Sequence, residues 1–81
     1  MLQVTVGNTV NRTTVLVPET TTLDEVITMA TQNGIVLDQN EAFSLNGNAV
    51  KRSRGDLGHT FADYGVTGRA TLTSVKQSQN A

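Results

Sequence analysis

Eighty-one residues with six cations, seven acids, a net charge of -1 and 37% hydrophobic content bound one small domain, with a core that buries about 60% of the surface an unfolded chain exposes. The near-balanced charge excludes a global field that would draw the whole molecule to nucleic acid or anionic lipid, so partners must be recognised locally. The absence of cysteine excludes disulfides, thiolate metal sites and thiol nucleophiles together.

The opening "MLQVTVGNTV" alternates apolar and polar residues and carries neither a basic n-region nor a continuous apolar h-region. It does not read as a signal peptide, and a cytoplasmic location is the expectation. Leu2, Val4 and Val6 fall at period two, which gives a strand one apolar face. "GNTVNR" turns the chain, and Thr13 to Val17 repeats the pattern with Val15 and Val17 inward, completing a hairpin that Pro18 ends because proline has no ladder donor.

In "TLDEVITMATQNG", Thr22 is followed three residues later by Glu25, the spacing of a capping box over the free amides of a helix start. Asp24 and Glu25 suit the positive end of the helix dipole. Leu23, Val26, Ile27 and Ala30 share one helical face, and Asn33-Gly34 supplies a left-handed stop. Downstream, "EAFSLNGNAV" predicts a strand with Phe43 and Leu45 inward, a tight turn at Asn46-Gly47 and a short strand reaching Val50. "KRSRGDLGH" reads as a polar, solvated loop. A last strand is expected from about Arg69 to Val75 around Leu72, followed by a flexible polar tail, "KQSQNA", over 76–81. The order β-β-α-β-β-β predicts an α+β fold with a mixed four- to five-stranded sheet over one helix, the first and last strands parallel at its centre.

That order and the segment "TFADYGV" resemble the ubiquitin-like β-grasp family over residues 1–75. The resemblance is carried by Thr22, Leu23, Asp24 and Val26, then Gly34 and Ile35, then Asp38 and Gln39, then Phe43, Leu45 and Gly47, and by Thr60 to Val66 before Thr71 and Leu72. The segment 60–66 reads as a structural latch: Phe61 and Val66 plug the open end of the core, Asp63 accepts from nearby amides, and Tyr64 packs its ring while its hydroxyl finds a main-chain partner.

Ubiquitin and the sulfur carriers ThiS and MoaD end in Gly-Gly, through which an activating enzyme adenylates the carboxylate. After Leu72 this chain reads "TSVKQSQNA", with no glycine. The resemblance places Ala42 and Ser44 at the third-strand part of ubiquitin's recognition patch and Thr73 and Val75 at the final-strand part, without its isoleucine. Asn48 stands where ubiquitin carries a chain-building lysine; Lys51 and Lys76 are the only lysines.

Lys51, Arg52 and Arg54 concentrate half of the cations in one loop, where they could grip phosphates or an acidic partner. Without interleaved aromatic residues this is a poor nucleic-acid signal. His59 is the one histidine and has no clustered ligands for a metal; a surface or loop-packing role is expected. The glycines at 55, 58, 65 and 68 belong to turns, since no strand-loop-helix phosphate cradle surrounds them. The expectation is a non-enzymatic, monomeric protein without cofactor or metal that contacts another protein noncovalently. A modifier or ThiS/MoaD-type sulfur carrier with an altered or processed C-terminus, and a YukD/EsaB-like accessory protein of bacterial type VII secretion, are the alternatives.

Overall fold

A computed structural model describes residues 1–8, 10–37 and 41–74. Strands β1 (Leu2–Gly7) and β2 (Arg12–Val17) form the first hairpin. Helix α1 (Leu23–Gln32) follows, then β3 (Ala42–Leu45), β4 (Asn48–Lys51) and, after three short 3-10 turns, β5 (Arg69–Ser74). The sheet order is β2-β1-β5-β3-β4. β1 and β5 run parallel at its centre, and the other neighbours are antiparallel. This α+β arrangement, one helix on a mixed five-stranded sheet, is consistent with a β-grasp-like fold. Val75, the tail 76–81, Asp38 and Gln39 lie outside the described residues.

Local chemistry accounts for each element. Leu2, Val4 and Val6 are buried, whereas Gln3 and Thr5 alternate to the other side. Thr22 accepts at its Oγ1 from the Glu25 amide (3.2 Å), and Glu25 Oε1 accepts from the Thr22 amide (2.9 Å), so two helix-start donors are satisfied reciprocally. Leu23, Val26, Ile27 and Ala30 form the buried stripe of α1. At the far end Gly34 takes φ 91°, the left-handed geometry that halts a helix. The β3-β4 turn requires positive φ at both Asn46 (51°) and Gly47 (91°), a combination that Asn-Gly adopts at little cost.

The latch lies across the helix entry. Leu23 N–H donates to His59 O (3.2 Å), Phe61 N–H to Thr21 O (3.3 Å) and Ala62 N–H to Glu19 O (3.0 Å). These bonds hold the segment where the Phe61 ring is fully buried, in the same core cluster as Leu72 and Phe43; burial of one such side chain contributes about 2–3 kcal/mol. Val66 closes the same end at 9% exposure.

The segment after β4 departs from the solvated loop expected from its polar composition. It folds into 3-10 turns at Arg52–Arg54 and Asp56–Gly58, and Leu57 is buried at 3% exposure against the helix side of the sheet. One apolar residue among polar neighbours gives no period, so sequence pattern alone does not show that it points inward.

Candidate functional site

The helix covers one face of the sheet and leaves the other to solvent. Register decides which side chains occupy that outer face. Thr5 of β1 is opposite Thr14 of β2 and Thr71 of β5, and Ser44 of β3 is opposite Thr73 of β5. The Thr5 and Thr14 hydroxyl oxygens are 3.5 Å apart, close enough to share a proton. Three threonines therefore form a row across three adjacent strands, continued one step along by the Thr73–Ser44 pair.

Of the residues singled out by the sequence, Ala42, Ser44 and Thr73 do come together on this face, all half-buried. The cationic trio does not form one cluster. Lys51 lies exposed at the end of β4. Arg52 is 3.7 Å from Asp24 on α1. Arg54 makes two bonds to Asp56 Oδ2, from Nε at 2.9 Å and Nη2 at 2.7 Å, and its Nη2 also donates to Ala49 O at 3.3 Å. Two of the three are thus engaged in holding their own loop and the adjoining strand.

That engagement makes the two sheet edges unequal. At β4, the outward amide of Lys51 donates to Asp56 Oδ2 (2.9 Å) and the outward carbonyl of Ala49 accepts from Arg54. The edge is covered by its own loop. At β2, the hairpin bond from Asn8 N–H to Asn11 O (2.9 Å) sets the alternation, so that the main-chain groups of Arg12, Thr14 and Leu16 point away from β1. No described residue bonds to them. Leu16 also presents an exposed side chain on the outer face, at 64%.

Carboxylates near the loops are held charged by hydrogen bonds. Asp56 is shifted below its ordinary value by the Lys51 amide first and the Arg54 side chain second. Asp63 is lowered by the Thr60 amide and hydroxyl, and Glu41 by Ser53. Tyr64 donates its hydroxyl to Asp56 O (2.8 Å), and burial pushes its pKa up. The His59 ring meets Tyr64 edge-on at 6.1 Å, with Nδ1 3.7 Å from Asp63 Oδ2, a loop-packing position.

A groove of about 390 Å³ opens beside the β3-β4 turn, lined in part by Leu45, Asn48, Tyr64, Val66, Thr67 and Arg69. Its Tyr64 hydroxyl is already committed to Asp56 O, and among the described lining residues there is no carboxylate, histidine or lysine. Among the described residues no three His, Cys, Asp or Glu side chains are placed to hold a metal ion, and no helix is long and apolar enough to cross a membrane. No family model, curated protein or solved structure matches the chain. The outer face, defined by its own register, is the feature with the most capacity to act.

Sequence reasoning placed Ala42, Ser44 and Thr73 on this face but missed Thr5, Thr14 and Thr71. Their signal was present as the polar half of each alternating strand. What was lacking was the strand order that aligns them.

Proposed function

We propose that this chain is a non-enzymatic, ubiquitin-like β-grasp module that acts by noncovalent protein–protein contact through the outer face of its sheet. The observation that carries this reading is the uncovered face itself, on which Ser44 and Thr73 are cross-strand neighbours and the open ladder groups of β2 adjoin a row of threonine hydroxyls. A rigid sheet holds these groups at fixed spacing before a partner arrives, which lowers the ordering cost of docking. Main-chain groups at the β2 edge offer an extended partner segment further pairing.

The test is site-specific photo-crosslinking in cells that make the protein, with the crosslinker at Ser44 and, in a second variant, at Gln32 on the exposed side of α1. Light-dependent capture of one defined protein from position 44 and not from 32 is the expected result. Equal capture from both positions removes the face from the argument. Mass spectrometry of the protein from the same cells separates the modifier and sulfur-carrier alternatives, since a C-terminal adduct or thiocarboxylate changes the mass without light.

A further inference from the structure

The described cations divide into two sets. Arg52 and Arg54 are paired with Asp24 and Asp56 on the helix and loop side. Arg12, Lys51 and Arg69 lie in strands, at positions whose neighbours Thr13, Val50 and Ala70 point the opposite way, so their side chains belong to the outer face. None of these three has a carboxylate within ion-pair distance among the described residues. No acidic residue occurs in any of the five strands. A chain of net charge -1 thus keeps its acids off the sheet and leaves the sheet's outer face cationic. Lys51 is close enough to Glu41 for its charge to help lower that carboxyl's pKa. Arg12 and Arg69 therefore dominate the field.

Their placement is specific. Arg12 is opposite Gly7, Arg69 is opposite Gln3, and Thr5 lies midway between Gly7 and Gln3 on the intervening strand. The two arginines bracket the Thr14–Thr5–Thr71 row diagonally. Two strand spacings across and four residues along put their Cα atoms about 16 Å apart, the span of roughly five residues of extended chain.

We infer that the outer face docks an extended acidic protein segment, with carboxylates about four to five residues apart received by Arg12 and Arg69 and a polar or acidic group between them received by the threonine hydroxyls. This rests on the reading of the outer face as a protein-docking surface and adds the chemistry of the partner. Guanidinium groups donate bidentately to carboxylates, and threonine hydroxyls can donate to the same oxygens. The strands place no aromatic residue on this face, since Phe43 of β3 is turned into the core, so it lacks the stacking platform that single-stranded nucleic acid uses.

The probe is oligo-L-glutamate, titrated into the full chain at low salt and followed by amide chemical shifts. Shifts are expected at Thr5, Thr14 and Thr71, with affinity falling about tenfold between roughly 0.05 M and 0.5 M salt. Arg12→Glu with Arg69→Glu is expected to abolish binding while the spectrum keeps its dispersion; Arg69→Gln alone, a milder change, is expected to weaken it by about tenfold. Gln32→Glu on α1 leaves it unchanged. Absence of salt-dependent binding, or shifts confined to α1, overturns the inference, and tighter binding of dextran sulfate at matched charge transfers the face to anionic glycans. If oligo-glutamate fails while Ser44 still crosslinks a protein, the acidic assignment falls and the docking face stands; loss of both removes the face.

Discussion

Arg54 and Asp56, two residues apart in a loop, together cover the edge of a strand: Asp56 Oδ2 accepts from Arg54 Nη2 at 2.7 Å and from the Lys51 amide at 2.9 Å. A bare strand edge is a template for pairing with another chain, and this side-chain pair occupies the outward positions of β4. Asp56→Ala is expected to speed hydrogen exchange at the Lys51 amide and to produce concentration-dependent self-association. Unchanged exchange at Lys51 would show that the edge is protected by something other than this carboxylate.

Acid sensitivity follows from three carboxylates, one in this loop, one in the latch and one before β3. Asp56, Asp63 and Glu41 all have folded-state pKa values below their ordinary ones because each accepts hydrogen bonds in the folded chain. A depressed carboxylate pKa contributes stability that is fully present above the unfolded value and is lost as pH falls through the folded value. Stability is expected to be level at neutral pH and to decline below the ordinary values of 3.8 for Asp56 and Asp63 and 4.5 for Glu41. Carboxyl carbon shifts measured against pH give the three values directly, and ordinary values at all three would contradict the bonding described.

Leu57 and Phe61 provide a paired test of the core. Both are buried, one in a segment of polar composition and one in the latch. Leu57→Ala and Phe61→Ala are each expected to cost about 2–5 kcal/mol, because a small core cannot collapse around the hole. Denaturant unfolding measures both. A loss under about half a kcal/mol at Leu57 would match a surface side chain and not the buried one seen here.

Gly7 is required for space. A Cβ there would lie 2.6 Å from Arg12 Cα and closer still to the Asn11 carbonyl oxygen, and both are main-chain atoms with little freedom to move. Gly7→Ala is expected to cost about 1–3 kcal/mol and to shift the amide resonances of the first hairpin, whereas Gly58→Ala meets nothing within 4 Å. Equal melting temperatures for the two variants would refute the steric argument.

The helix cap is the most local of these features. Thr22→Ala removes the acceptor for the Glu25 amide and is expected to cost about 1 kcal/mol. An unchanged unfolding midpoint would place the start of the helix elsewhere.

Period-two runs and the Thr22–Glu25 spacing made the strands and the helix legible in the sequence, because each depends on residues only a few positions apart. The latch was legible too, with Phe61 buried and the Tyr64 hydroxyl bonded to a main-chain oxygen as expected. Leu57 was not, since a single apolar residue in a turn has no periodic partner. Nor was the role of Arg54: "KRSR" reads as free charge until Asp56 and the β4 edge are in place. The alternation of each strand fixed which residues share a face of that strand, and no more. Only pairing across the sheet, β1 with β5 above all, brought Arg12, Thr5 and Arg69 onto one diagonal. Register between strands is set by long-range packing of their buried sides, so the pattern on the outer face is a consequence of the core.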